Sequence, residues 1–151
     1  MFHSWRRAWF QKGSKMSVKI DDNSAKFLED FERKLLVGLE AIGIEAEGNA
    51  KEEITQAEAV DTGRARNSIT WATKAKEGEG FSYSDDEGNN FNDQIGTGAD
   101  EHSVYIGSNV EYFPYIEEGS RTISAHHVLR NAIVKHKDKY LEMLRDAFKN
   151  L

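Results

Sequence analysis

The chain has no cysteine. This excludes disulfides, thiolate nucleophiles and cysteine metal sites. No apolar run approaches the roughly 20 residues that span a bilayer, so no membrane partner is expected. The N-terminus lacks the apolar segment of a secretory signal. No phosphate loop, nucleophile elbow or dinucleotide fingerprint is present. Excess positive charge is also missing. The net charge is −6, and residues 1–15 carry Arg6, Arg7, Lys12 and Lys15 with no acid, which leaves −10 on the rest. A body of that sign is a poor general binder of nucleic acid.

What remains is a polar chain of 151 residues, enough for one domain with a modest core. Residues 1–15 read as a basic, aromatic arm (Phe2, Trp5, Trp9, Phe10), and residues 16–151 as a single domain. Met16 would serve equally as a translation start. The arm reads either as a free extension or as a segment that docks Trp5 and Trp9 on a partner.

Asp21-Asp22-Asn23-Ser24 supplies helix-capping oxygens. Leu28, Phe31, Leu35, Leu39, Ile42, Ala46, Ala50, Ile54 and Ala57 follow at steps of three and four. That spacing predicts one amphipathic helix from about residue 24 to about residue 59, roughly 50 Å long. Gly38, Gly43 and Gly48 each weaken it by about 1 kcal/mol relative to alanine, and a bend is expected near Gly43. The small residues Ala46, Ala50 and Ala57 suit close packing on a sheet.

Gly63 breaks the pattern, and residues 64–68 read as one further turn. Ile69 to Lys74 alternates and is β-rich, which predicts a strand. Ser103 to Ser108 predicts a second strand paired with it. Between them, residues 77–101 hold eight acids, five glycines and no base. A loop of that length is usually functional or disordered. Phe81, Tyr83, Phe91 and Ile95 suggest a hairpin that orders on contact with a neighbour. Pro114 fits a short helix's first turn and Gly119 its end. Ser124 caps a last helix over about 125–149, with Val128, Leu129, Ala132, Ile133, Tyr140, Leu144, Ala147 and Phe148 on its buried face. The fold class is α+β: a long N-terminal helix and a C-terminal helix on a small antiparallel sheet.

Three stretches invite a chemical reading, and each is outweighed. Asp61-Thr62-Gly63 is the aspartic-protease tripeptide, but it follows a helix rather than an apolar strand and precedes Arg64 and Arg66. His126, His127 and His136 lack the one-face spacing of metal ligands, and no carboxylate stands at that spacing. The acidic loop counted from Asp85 has Asn90 and Gly96 where an EF-hand needs glycine and glutamate. The expectation is therefore no enzyme, no metal and no cofactor. The alternatives are a cytosolic helical adaptor that binds a protein through the 24–59 helix, and a protease-like enzyme using Asp61.

Taken together, the segments carry a resemblance. Val60-Asp61-Thr62-Gly63-Arg64-Ala65-Arg66-Asn67-Ser68-Ile69 is similar to the "VDTGxLRxSI" segment of a tailed-phage family. Val104 to Asn109 resembles its "V-x-I/V-G-T/S-N" strand end. Tyr112-Phe113-Pro114-Tyr115-Ile116-Glu117-Glu118-Gly119-Ser120 resembles its "Y-A-x-Y-V-E-F-G-T" turn, and Ala125 to Ala132 the start of its last helix. The family is the neck and tail-completion group typified by gene product ten of phage Hong Kong ninety-seven, and the resemblance covers about residues 17–151. Ala65, Glu118 and His126-His127 depart from its pattern.

The resemblance implies a structural virion protein at the head–tail neck, assembled in the host cytoplasm. It implies a self-associated ring, commonly a hexamer, around the DNA path, without sequence-specific DNA contact. Expected partners are connector or head-closure, tail-terminator and tail-tube proteins. Gly63, Gly107 and Gly119 are expected to shape the backbone, and Tyr112, Pro114 and Tyr115 to pack. Asp61, Thr62 and Ser68 complete the motif, and Arg64 is expected to pair with Glu117. Contacts between subunits are expected from the arm (Trp5, Trp9) and from Phe81, Tyr83 and Phe91 of the acidic loop.

Overall fold

The computed structural model describes residues 21–149. Helix α1 (Ser24–Gln56) runs unbroken and ends three residues before the expected limit. A short turn leads to α2 (Arg64–Asn67), β1 (Thr70–Ala72) and a 3-10 turn (Lys74–Lys76). The hairpin β2 (Gly80–Ser84) and β3 (Asn90–Gln94) follows, then β4 (Tyr105–Gly107). Helices α3 (Phe113–Glu118), α4 (Val128–Lys135) and α5 (Lys137–Phe148) complete the described chain.

The strands form two separate two-stranded antiparallel sheets. One pairs β1 with β4, placing Trp71 opposite Ile106. This is the pairing the sequence suggests, and the α+β class holds. The other is the hairpin, which places Tyr83 opposite Phe91. The expectation that this hairpin orders only against a neighbour is not met: it is formed within one chain.

Helix α1 is the spine because its buried stripe matches 3.6 residues per turn. Ala50 and Ile54 join Ala65, Ile69, Val110, Phe113, Val128 and Ala132 in the main core. Ile42 and Ala46 join Tyr140 in a second core. Ile106 packs against both cores, so the β1–β4 sheet links them. Gly43 lies where a bend was expected, yet the helix continues through it. Its role is close approach: a Cβ there would stand 2.7 Å from the Trp71 ring. Lys76 Nζ sits 3.7 Å from the centroid of the same ring, a cation–π contact. The expected burial of Leu28 and Phe31 also fails: Leu28 is exposed, and Phe31 is covered only in part, by the Phe148 ring at 4.9 Å.

The expected single C-terminal helix is two helices. His136 interrupts it at φ −111°, ψ 12°. The Tyr140 hydroxyl donates to the Ala132 carbonyl at 2.8 Å and accepts from Asn49 Nδ2 at 2.9 Å. One phenol thus ties α4, α5 and α1 together, and burial pushes its pKa up. Ile133, expected inside, is exposed. Ser124 is not the cap. Helix α4 starts three residues later than expected, with His127 at its N-cap in the left-handed region, φ 50°, ψ 42°.

Among the described residues, no helix is long and apolar enough to cross a membrane.

Candidate functional site

The recognisable motif fastens the hairpin to the body. Gly63 takes φ 79° and turns the chain into α2, a conformation that costs other residues more. A Cβ on Gly63 would run into the Asp86 carboxylate. Four groups of the motif then grip residues 84–91. The Thr62 carbonyl accepts the Asp86 N–H at 2.7 Å. Arg66 Nη2 meets Asp86 Oδ1 at 2.6 Å. Asn67 Nδ2 donates to the Ser84 carbonyl at 2.7 Å. The Arg64 guanidinium lies 4.6 Å from the centroid of the Phe91 ring.

Arg64 does not pair with Glu117. Its two terminal nitrogens donate to the Glu111 carboxylate at 3.2 and 3.3 Å, a fork-to-fork geometry. Tyr83 and then Glu111 favour its charged form. Asn109 grips the other end of the hairpin, donating to the Gln94 carbonyl at 2.6 Å. At the hairpin tip, Asp85 Oδ1 accepts the backbone N–H groups of Glu87 and Asn89. Its carboxylate is held below the ordinary aspartate range, first by the Asn89 side chain. That contribution is present above the ordinary carboxylate range and is lost as the pH falls.

The aromatic residues expected at an interface are already engaged inside the chain. Phe81, Tyr83 and Phe91 stack in series with centroids 5.7 and 5.3 Å apart. Tyr83 also packs against the main core. Trp5 and Trp9 lie outside the described residues. Ser68 is fully buried and bonds the Ala65 carbonyl and Ser108 Oγ, at 2.8 and 2.6 Å. It joins the start of β1 to the end of β4.

Several expectations need correction. Gly107 has no positive φ, and a Cβ there would meet open space. Its backbone therefore needs no glycine. Tyr115 is 54% exposed and Pro114 is exposed too, while Tyr112 lies at the surface against Arg64. The core side chain of α3 is Phe113, with Ile116 beside it. Asp61 is exposed on the turn before α2, with no strand ahead of it. A protease aspartate would need that strand and a cleft.

Glu117 has a different task. Its two carboxylate oxygens accept the N–H groups of Leu129 and Arg130, at 2.9 and 3.1 Å. These are orphan donors at the start of α4, where the helix dipole favours an anion. Glu117→Ala is expected to destabilise the chain by about 1–2 kcal/mol, read by urea denaturation, with Glu118→Ala near neutral. The same turn brings Glu117, Glu118 and His127 together, with one ligand-type atom of each within 4.8 Å. The sequence shows no carboxylate at helical spacing from this histidine, because the approach is made by α3. Glu117 is committed to the helix end, and that positive end disfavours a cation.

The residues missed by sequence reasoning are distant partners: Glu111 for Arg64, Asp86 for Arg66, Asn49 for Tyr140 and Glu53 for Lys135. The last is an ion pair at 2.7 Å between α1 and α4. No local spacing signals any of them.

Against this geometry, residues 14–119 match the model described as "Bacteriophage HK97-gp10, putative tail-component". The chain belongs to this family. The match takes in α1, the motif, the hairpin and α3. It ends before α4, so it is shorter than the resemblance over residues 17–151. Neither a comparison with curated proteins nor one with solved structures gives a match. As a member of the HK97-gp10-like family the protein is a structural component of a phage tail, and its place is the virion.

Proposed function

We propose that the protein completes or joins the tail at the head–tail neck as a closed ring of identical subunits, six in number. Its partners are connector or head-closure proteins on one side and tail-terminator or tail-tube proteins on the other. DNA passes the ring without sequence-specific contact, and the ring assembles in the host cytoplasm. Residues 16–151 act as one domain and residues 1–15 as an appended arm.

The observation that carries self-association is a second apolar stripe on α1. At about 100° per residue, Val37, Ala41, Ile44 and Gly48 fall opposite the buried Leu39, Ile42, Ala46 and Ala50. Val37 and Ile44 are 58% and 62% exposed. A Cβ on Gly48 would touch nothing in this chain, so a neighbour has room to approach. Val134 and Leu141 are also exposed, on α4 and α5. Two separate patches are what a head-to-tail ring contact needs, since a single self-complementary patch closes as a dimer.

The test is a Val37→Glu/Ile44→Glu double variant. Both sites face solvent, so the fold should persist by circular dichroism. The variant is expected to stay monomeric and to leave phage particles without joined tails. Normal assembly of that variant would contradict the reading.

A further inference from the structure

The β1–β4 sheet has one face in use and one open. Trp71 meets Gly43 of α1, and Ile106 packs against both cores. Side chains alternate along a strand. Thr70, Ala72, Tyr105 and Gly107 therefore turn the other way, with Thr70 opposite Gly107 and Ala72 opposite Tyr105. They floor a groove of about 330 Å3 whose wall is the loop 95–99. Tyr105 is 50% exposed, and a Cβ on Gly107 would touch nothing in this chain. The rim is acidic. Of the eight acids in residues 77–101, only Glu77 and Asp86 pair with a cation among the described residues. Asp93 accepts at 3.1 Å from the side chain of Asn109, which lines the groove. Asp100 follows the lining residue Ala99 and is exposed.

Charge of the opposite sign stands on α4 and α5. Residues 128–148 hold five bases against three acids. Lys135 and Lys139 are held by Glu53 and Glu45 of α1. Lys137 and Arg145 pair with no acid among the described residues. At steps of four, Lys137, Leu141 and Arg145 share one flank of α5, and all three are exposed. We infer that the groove receives α5 of a second copy of this chain. Leu141 lies over the floor of Ala72 and Gly107, and Lys137 and Arg145 face Asp93 and Asp100. The inference rests on the ring reading and supplies the recess that an exposed helix needs. Groove and α5 flank belong to different elements, so the contact runs head to tail, as a ring requires. The α1 stripe widens the joint, since a stable interface takes about 800 Å2 from each partner, more than one groove offers. Opposed charges at the rim set the register and exclude a second acidic surface.

The test is the mass of the full chain by light scattering, alone and on tails assembled without it, for the parent and its variants. Gly107→Trp fills the groove from its floor, where the backbone has no positive φ. Lys137→Glu/Arg145→Glu reverses the α5 flank, and Asp93→Lys/Asp100→Lys reverses the rim. Each is expected to raise the concentration at which rings form by about tenfold or more, with the melting temperature close to the parent's. Combining the two charge reversals should restore assembly, which damage to the fold would not. Parent rings should also weaken as salt rises. Rings unaffected by these variants would overturn the proposal and leave the ring reading standing. So would a combined variant no better than either reversal alone. If Gly107→Trp forms rings normally yet no longer seats on tails, the groove holds a tail protein and the proposal fails. No ring from the unsubstituted chain, alone or on tails, would overturn the ring reading and this contact with it.

Discussion

Gly119→Ala is expected to cost about 3 kcal/mol or more and to lower the melting temperature by on the order of 10 °C. Two independent effects act at this residue. Its φ of 77° with ψ of −178° lies in a region reached almost only by glycine. A Cβ would also stand 2.8 Å from both the Ala125 nitrogen and the Ile123 oxygen. Those are backbone atoms, which cannot swing aside as a side chain would. The turn they belong to hands α3 over to α4. It also brings the Ile116 and Glu117 carbonyls to the N–H groups of His126 and His127. Moving it would pull Glu117 off the end of α4. Gly107→Ala is the internal control: with no positive φ and open space for a Cβ, it should stay within about 0.5 kcal/mol of the parent. Thermal melts of the two variants side by side would decide whether the turn or glycine content as such matters. Equal melting temperatures would show that the turn is not constrained as described.

The second large effect is expected from Ile54→Ala. Ile54 is fully buried in the last turns of α1, in the cluster that also holds Val110, Phe113 and Val128. Truncation removes packing at the point where the helix meets α3 and α4, and such cavities cost roughly 2–5 kcal/mol. Ile54→Val should cost only about 0.5–1.5 kcal/mol. A typical domain holds about 5–15 kcal/mol in all, so the alanine variant stands near the limit of folding, and assembly should fail with it. Leu28→Ala, at an exposed site on α1, removes a side chain of similar size and should shift the urea midpoint far less. A comparable loss at both sites would mean that α1 is held by its whole length rather than by its C-terminal half.

The periodic parts of the fold are legible in the sequence. The α1 stripe, the β1–β4 pairing and the short helix between Pro114 and Gly119 all follow from spacing and from residues with restricted backbones. What escapes is set by contacts far apart in the chain. Nothing near Arg64 announces Glu111, and nothing near Tyr140 announces Asn49. The break at His136 carries no glycine or proline. It lets Val128 and Tyr140 reach different cores on α1, and only the assembled fold makes that demand. Gly43 shows the same limit: its spacing suggests a bend, while its use is contact with Trp71 from another element. The motif around Gly63 is plain as a pattern, but its work as a clamp on the hairpin depends on Asp86, Ser84 and Phe91, which no spacing rule connects to it.

The most direct test of ring assembly is the mass of the full chain by light scattering, with electron microscopy of the same sample mixed with tails assembled without it. Closed rings seated on one end of those tails are the predicted result. A protein that stays monomeric both alone and with tails, and leaves the tail ends bare, would contradict it.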